Sequence, residues 1–272
     1  MKLKIDFKLI LIFIIILYIC YKFYYNKEHF ESSKILFNKL SNYQKIKVEE
    51  KENKNRCLYL DREIQLCTKY EKRYHEYMVH FPAAYIKNLS KVLIIGGGDL
   101  MILREVMKYN SLDRVDMLEL DKLVVNVSKR YFYTDDFDDD DRVNIYFADA
   151  RKTIEKLQDN FYDLIIIDIT EQGQNKNPLI SRKFYKLCSK KIKSKGIIIQ
   201  NGSYLIILNY WRSLFKYLDI FTVDRIFLPV SNYSFMIGSK KINFRKARRY
   251  DNLVSNLDEY NENDHMKKFI KI

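Results

Sequence analysis

Polar residues and glycines follow five short apolar segments between residues 91 and 201. In chain order they are Gly96, Gly97, Gly98 and Asp99, then Glu119 and Asp121, then Asp149, then Asp168 and Glu171, and last Gln200 and Asn201. Glycines let the backbone approach a ligand closely, whereas carboxylates bind hydroxyl groups, hold cations and accept protons. This pattern indicates a pocket for a polar ligand.

The first of these segments has the form of a nucleotide-binding turn. Gly96 to Gly98 follow an apolar strand, and Glu119 lies about 20 residues beyond, where an acidic residue accepts hydrogen bonds from ribose hydroxyls. The full G-x-G-x-x-G pattern is absent, so the glycines alone leave a nucleoside site and a tight structural turn open. Glu119, together with Asp149 after the third segment, favours the nucleoside site.

Asp99 follows the glycines directly and argues against a phosphate ligand, because a carboxylate repels a diphosphate and favours a cation. Asp168 and Glu171 add two carboxylates, so we expect a negative pocket in a chain whose formal net charge is +13. These acids can hold and deprotonate an amine, which indicates a sulfonium nucleoside and a polyamine as ligands. The structural alternatives are helix caps for the aspartates and a solvated loop for Glu171.

Apolar strands that alternate with amphipathic helices must position these residues. The strands are "KVLIIG", "RVDMLEL", "VNIYFAD", "YDLIIIDI" and "GIIIQN". Their continuous apolar character predicts an α/β fold, a Rossmann-like, methyltransferase-type sheet that is mostly parallel and has helices on both faces. Ligands of such sheets bind beyond the carboxyl ends of the strands. "VDRIFLPV" and "YSFMIGS" predict an antiparallel hairpin at one edge.

The region before residue 91 predicts two smaller parts. Residues 26–48 predict a polar, partly helical lead-in, "RCLYLD" and "EIQLC" predict a β-hairpin, and the segment from Tyr70 predicts a linking helix. The expected organisation is a membrane anchor at 1–30, a small β-hairpin region with the linking helix at 31–90, and a nucleoside-binding catalytic domain at 91–272.

The anchor prediction rests on the uncharged run "LILIFIIILYICY", residues 9–21. Extended by snorkelling of Lys8 and Lys22 it reaches about 17 to 19 residues, against about 20 for a bilayer span. A cleaved signal peptide and a buried core helix stay open as alternatives, although no small-x-small cleavage site follows. We expect one marginal span within residues 8–25, with the catalytic domain facing the cytosol.

Cysteine spacing and charge disfavour other classes of protein. Cys20, Cys57, Cys67 and Cys188 show no C-x-x-C spacing, so neither a zinc site nor a disulfide framework is predicted. A Cys57–Cys67 bridge stays open, but reduced thiols are favoured for a cytosolic domain. The positive charge is spread over the chain and no nucleic-acid motif accompanies it, which indicates a solvated basic face. No metal and no nucleic acid are expected.

Several short motifs resemble the aminopropyltransferases of the spermidine synthase family. They are "SNYQKIKV", "LYLDREIQL", "YHEYMVHFP", "KVLIIGGGDL", "MLELD", "FADA", "YDLIIIDIT" and "GIIIQNGS", in collinear order over residues 38–240. The resemblance implies transfer of an aminopropyl group from decarboxylated S-adenosylmethionine, a co-substrate and not a prosthetic group, to putrescine or a related amine. The products are spermidine and methylthioadenosine. It also implies assembly into homodimers or homotetramers.

The resemblance further implies a role for each site residue. The nucleoside set is Gln44, Gly96, Gly98, Asp99, Glu119, Asp149 and Ala150, and the amine set is Gln65, Tyr74, His75, Asp99, Asp168 and Glu171. Glu119 binds the ribose, Asp99 holds the aminopropyl ammonium group, and Asp168 is the general base. Asp168 takes a proton while the primary amine attacks the methylene carbon beside the sulfonium, so the enzyme mainly aligns the reactants and neutralises charge.

The chain departs from the family pattern mainly on the amine side. Leu100 and Met101 replace two glycines and narrow the start of the following helix, Glu171 replaces an aspartate, and Ser231 stands where the edge hairpin has a tyrosine, with Tyr233 close by. The loop "EQGQNKNPLIS" also lacks the usual Gly-Pro element. Two alternatives stay open: a methyltransferase on the same fold, whose donor carboxylate Asp99 would repel, and a catalytically silent, membrane-tethered nucleoside-binding homologue.

Overall fold

The computed structural model describes residues 15–18, 33–132, 137, 139–169, 178–202, 204–224, 232–250, 254 and 257–270. The predicted anchor lies outside these ranges except for residues 15–18, which are helical, and it stays a prediction. Within the same ranges, no helix has the length and apolarity that a bilayer span requires.

A four-stranded antiparallel sheet forms the first part of the described chain. Its strands are β1 (Lys34–Leu40), β2 (Lys45–Glu50), β3 (Arg56–Leu60) and β4 (Glu63–Cys67), in the order β1-β2-β3-β4. The β3–β4 hairpin confirms the sequence prediction. The partly helical lead-in is wrong for residues 34–48, because Ile46 and Val48 alternate with lysines and bury one face of a strand.

Cys57 and Cys67 face each other across β3 and β4 and form a disulfide. The expectation of reduced thiols is therefore wrong for this pair. The register of the hairpin places the two side chains opposite one another, and register is set by the turn and by the buried face, not by cysteine spacing. Cys188 is a free, buried thiol, whereas Cys20 lies outside the described residues.

The second sheet has seven strands and carries the helices. After α1 (Glu71–Ala83), its elements are β5 (Lys91–Gly96), α2 (Met101–Met107), β6 (Arg114–Glu119), α3 (Lys122–Tyr131), β7 (Val143–Phe147), α4 (Ala150–Lys156), β8 (Tyr162–Asp168), α5 (Arg182–Lys191), β9 (Ile192–Asn201), α6 (Tyr204–Arg212), β10 (Tyr217–Asp224) and β11 (Asn232–Ser239). The order is β10-β11-β9-β8-β5-β6-β7. Strands β5 to β9 are parallel, which confirms the predicted fold class.

Burial on both faces explains the uninterrupted apolar strands. Residues Val92–Ile95 of β5 and Leu164–Ile167 of β8 are fully buried. Side chains of α1 and α2 pack on one face of the sheet, and those of α4, α5 and α6 pack on the other. Because β5 lies between β6 and β8, the strand order reverses there, and a crevice opens beyond the carboxyl ends of these strands.

The predicted antiparallel edge hairpin is observed for residues 217–224 and 232–239, whereas residues 225–230 of the predicted first strand lie outside the described residues. Strands β10 and β11 pair antiparallel, and β11 joins the sheet beside β9. Strand β10 begins at Tyr217, earlier than the predicted segment, because Phe221 and Val223 alternate into the core. The predicted helix before it is correspondingly shorter and ends at Arg212.

A C-terminal segment, residues 257–270, packs on the outer face of α1. The buried carboxylate of Glu76 accepts hydrogen bonds from the backbone N–H groups of Asp258, Glu259 and Tyr260, at 3.1, 2.8 and 2.8 Å. Arg73 adds an ion pair to Glu259 at 2.7 Å. One side chain of α1 thus satisfies three backbone donors of a distant part of the chain.

We expect Glu76→Ala to lower the free energy of unfolding by about 3 kcal/mol or more, because three backbone N–H groups lose the carboxylate that accepts their hydrogen bonds. Urea unfolding of the full chain measures the change. Lys72→Ala is the control, since its ion pair with Asp258 is exposed to solvent and should contribute little to the free energy of unfolding. Equal losses for the two variants would contradict the assigned role of Glu76.

Candidate active site

A cavity of about 710 Å³ lies between the carboxyl ends of the central strands and the β3–β4 hairpin. The residues that the sequence predicted and that line the cavity are Gln44, Gln65, Tyr74, Gly96, Gly97, Gly98, Asp99, Glu119, Asp121, Asp149, Ala150, Asp168 and Asn201. Gln200, which was also predicted, does not line it. His75 does not line the cavity. Glu171 and Ser231 lie outside the described residues. The roles of these residues in binding and catalysis remain predictions.

The glycine turn after β5 is required by close backbone approach. Gly96 and Gly97 have φ angles of 82° and 72°, in the left-handed region that favours glycine. A Cβ on Gly96 would lie 2.0 Å from the carbonyl oxygen of Asp168, and one on Gly98 would lie 2.9 Å from Oε2 of Glu119. These glycines therefore let two predicted site carboxylates come close to the end of β5.

Glu119 lies at the end of β6 with its side chain almost completely buried. Its Oε1 accepts a hydrogen bond from the backbone N–H of Asp121 at 2.7 Å. Burial raises the pKa of Glu119 to about 7, and the negative charges of Asp121 and Asp99 act in the same direction, whereas the backbone hydrogen bond opposes them. A ligand hydroxyl that donates to this carboxylate would favour its ionised form.

Asp121 connects the two sheets at the cavity, a role that the sequence did not reveal. Its Oδ2 accepts from the Ser41 hydroxyl at 2.6 Å and from the Gln44 amide at 3.3 Å. Its Oδ1 accepts from the backbone N–H of Leu123 and caps α3. Asp121 thereby places Gln44, a predicted adenosine contact, at the edge of the cavity.

Asp149 caps the start of α4 and also lines the cavity. It accepts from the backbone N–H of Arg151 at 2.9 Å and pairs with the guanidinium group of the same residue at 2.6 Å. The hydrogen bond from Arg151 lowers the pKa of Asp149. Asp149 can therefore cap α4 and also make the predicted contact with the adenosine, because it lies both at the start of the helix and at the cavity.

Asp168 ends β8 beside Gly96, its pairing partner in β5. The Tyr74 hydroxyl of α1 donates a hydrogen bond to Asp168 Oδ1 at 2.6 Å. The Tyr74 ring contacts the Tyr233 ring edge to face, with 5.4 Å between centroids. Tyr233 of β11 therefore lies in the cavity, although the position in the edge hairpin where a tyrosine was expected is Ser231.

Asp99 occupies the start of α2. Its Oδ1 accepts from the backbone N–H of Met101 at 2.9 Å, and its Oδ2 lies 3.3 Å from Nε2 of His75. Leu100 has a φ of 69°, a conformation that glycine adopts at lower cost. Leu100 and Met101, which were predicted to narrow the start of this helix, bury their side chains in the hydrophobic core, and neither lines the cavity.

The cavity is negative, as the sequence predicted. Its described lining includes the carboxylates of Asp61, Glu63, Asp99, Glu119, Asp121, Asp149 and Asp168, and its basic side chain is Arg151. Asp61 lies in the turn between β3 and β4, and Glu63 begins β4, which faces the carboxyl ends of the central strands across the cavity. These two residues were not identified from the sequence, because they belong to a short hairpin without a recognisable motif. A surplus of carboxylates favours a cationic ligand.

Comparison with known proteins adds independent findings. Residues 71–244 match the family model described as the spermine/spermidine synthase domain. A polyamine aminopropyltransferase of Prochlorococcus marinus (strain AS9601) is 33% identical over 233 residues, which cover 82% of each chain. A second one, from Clostridioides difficile (strain 630), is 32% identical over 252 residues and covers 88% of this chain and 89% of its own.

Two solved structures have a similar fold. The spermidine synthase of Thermotoga maritima superposes with a TM-score of 0.76 at 26% identity, covering 88% of this chain and 85% of that one. A spermidine synthase in complex with the transition-state analogue AdoDATO gives a TM-score of 0.77 at 27% identity, covering 88% and 86%.

We expect nucleoside binding to strengthen as pH rises through about 7, because the predicted contact of Glu119 with the ribose is stronger when its carboxylate is ionised. For methylthioadenosine, the Kd should fall roughly tenfold between pH 6 and pH 8. Calorimetry at several pH values measures this slope. Glu119→Gln should remove it. Asp149→Asn should keep it, since Arg151 already lowers the pKa of that carboxyl; a slope that persists in Glu119→Gln would contradict the assignment.

Proposed function

Because the chain belongs to the spermine/spermidine synthase family, we propose that putrescine or a related diamine accepts the aminopropyl group that it transfers from decarboxylated S-adenosylmethionine. The chain is an aminopropyltransferase, and the donor is a co-substrate, with no prosthetic group indicated. The observation that carries the proposal is the position of Asp99 and Asp168 after two paired strands, β5 and β8, at one cavity.

In the proposed reaction these two carboxylates have separate tasks. Asp99 holds the ammonium group of the aminopropyl chain, and Asp168 accepts a proton from the attacking amine. The amine nitrogen forms a bond to the methylene carbon, the bond from that carbon to sulfur breaks, and its electron pair stays on the sulfur of methylthioadenosine. Because the donor already carries a good leaving group, alignment and proton removal are the main contributions of the protein.

The nucleoside half of the donor fits the other side of the cavity. We place the ribose hydroxyls on Glu119, and the adenine between Gln44 and the start of α4 at Asp149 and Ala150. Gly96 and Gly98 leave room for the sulfur and ribose to approach the backbone. The two catalytic carboxylates then lie at the aminopropyl end of the donor.

The acceptor is proposed to lie beside Tyr74, Gln65 and Tyr233, which line the cavity near Asp168. The hydrogen bond from the Tyr74 hydroxyl orients the carboxylate of Asp168 for the proposed proton transfer. Glu171 is proposed to add a further carboxylate from the loop after β8. His75 does not line the described cavity and contacts Asp99. We therefore propose that it interacts with Asp99 and not with the acceptor.

The two alternative functions are not favoured. In S-adenosylmethionine the chain that carries the ammonium also carries a carboxylate, and Asp99 would repel it at this position. A catalytically silent binding protein would not need the hydrogen bond from the Tyr74 hydroxyl to Asp168, the proposed general base. The three-part division of the chain, anchoring through residues 8–25 with a cytosolic catalytic part, and homodimer or homotetramer assembly are further proposals that rest on the sequence and its family.

We expect Asp168→Asn to lower kcat for methylthioadenosine release by about 100-fold or more, because the amide cannot accept the proton. Donor affinity should change little. The assay uses the full chain with decarboxylated S-adenosylmethionine and putrescine. Asp159→Asn, an exposed aspartate just before β8, is the control and should leave kcat unchanged.

Full turnover by Asp168→Asn would exclude Asp168 as the base. Release by the unaltered chain with another diamine but not with putrescine would change the acceptor. No release with any diamine in a panel would contradict aminopropyl transfer by this site.

A further inference from the structure

His75 has oxygen acceptors at both ring nitrogens although its side chain is only 2% exposed. Nδ1 lies 2.7 Å from the backbone carbonyl oxygen of Glu71 and 2.9 Å from its carboxylate Oε2. Nε2 lies 3.3 Å from Oδ2 of Asp99. The imidazole thus bridges the first turn of α1 and the carboxylate that we propose for the donor ammonium.

The identity of these partners fixes the protonation state of the ring. Carbonyl and carboxylate oxygens accept hydrogen bonds and do not donate them, and a neutral imidazole has a single N–H group. A neutral His75 would direct one nitrogen lone pair at an oxygen, so carboxylates at both ring nitrogens favour the imidazolium. Burial alone lowers the pKa of His75, but the carboxylates of Asp99 and Glu71 outweigh burial and raise the pKa to about 10.

Glu71 is itself fixed by Arg104 of α2. The guanidinium group binds both carboxylate oxygens of Glu71, at 2.8 and 2.9 Å, and its Nε donates to Glu105 at 2.8 Å. Burial raises the pKa of Glu71, but hydrogen bonds from His75 and Arg104 dominate and lower it to about 2. Charges of alternating sign therefore run through Arg104, Glu71, His75 and Asp99, and we refer to these four residues as the charge chain.

Each oxygen of Asp99 has one fixed donor. His75 holds Oδ2, and the backbone N–H of Met101 holds Oδ1. The plane of the carboxylate is thereby set, and the remaining lone pairs are available to the cavity that Asp99 lines. A carboxylate that is already oriented binds a cation without the cost of reorganisation.

We propose that His75, Glu71 and Arg104 are positioning residues, which hold the carboxylate of Asp99 in the orientation that binds the ammonium group of the aminopropyl donor. This inference rests on the proposed function. None of the three lines the described cavity, so they act through Asp99 and not by contact with a substrate.

The test compares two ligands that differ in one group. Decarboxylated S-adenosylmethionine carries the aminopropyl ammonium, and methylthioadenosine lacks it. We expect His75→Leu to raise the Kd of the donor at least tenfold and the Kd of methylthioadenosine less than twofold, both measured by calorimetry on the full chain. His75→Gln, whose amide N–H can reach Asp99, should restore most of the donor affinity. In steady-state assays the loss should appear in KM for the donor and not in KM for putrescine.

His80→Leu is the matched control. His80 is a buried histidine of the same helix, with Nε2 at 2.9 Å from Glu105 and Nδ1 at 2.8 Å from the Tyr109 hydroxyl, and it does not contact Asp99. If removal of a buried histidine disturbs the structure in general, that effect should appear in both His75→Leu and His80→Leu. The donor-selective effect should appear in His75→Leu alone.

Glu71→Gln carries the test if His75→Leu fails to fold, because the amide keeps the shape of the side chain and removes its charge. We expect a donor-selective rise in Kd of at least threefold. Equal losses for the two ligands, an unchanged donor Kd, or tighter donor binding would overturn the proposal. Failure of the proposed function would instead appear as no methylthioadenosine release by the unaltered chain, whatever the Kd values.

Discussion

The approach of Gly96 to the backbone of Asp168 is the constraint on which the site depends. Strands β5 and β8 are paired up to this point, and a side chain on Gly96 would lie 2.0 Å from a carbonyl oxygen. Pairing to the last residue brings Asp168 beside the turn that carries Asp99. The order of the strands also places Glu119, at the end of β6, on the opposite side of the same turn. Three carboxylates thus converge at one turn because one position of the sheet has no side chain.

Buried carboxylates of this protein differ according to the donors around them. Glu71 and Glu105 are surrounded by basic side chains, which hold their pKa values at about 2 despite burial. Glu119 is as deeply buried but has backbone donors and acidic neighbours, so its pKa rises to about 7. The first two are structural charges that stay fixed over the physiological range. Glu119 retains the capacity to respond to a ligand, which is the property that a binding residue needs.

Sequence reasoning succeeded where a pattern repeats along the chain and failed where a single contact decides. Continuous apolar strands and the polar residues after them were enough to predict the sheet and to bring most of the cavity lining together. Strands β1 and β2 were missed because their alternation is short and rich in lysine. Cys57 faces Cys67 because of the register of the hairpin. The side chain of Leu100 points into the core because its own backbone is left-handed. The contact of His75 with Asp99 depends on how α1 packs against α2, and a local sequence pattern does not predict such packing.

The hydrogen bonds between Glu76 and the segment 257–270 have a consequence for biosynthesis. Residues of α1 leave the ribosome first, and the N–H groups that Glu76 accepts follow 182 to 184 positions later. At cellular rates of translation this interval is roughly 9 to 37 seconds. During that time the helix that carries Tyr74 and His75 lacks the partners of its outer face. The nascent chain therefore completes the support of this helix only after residue 260 has been synthesised.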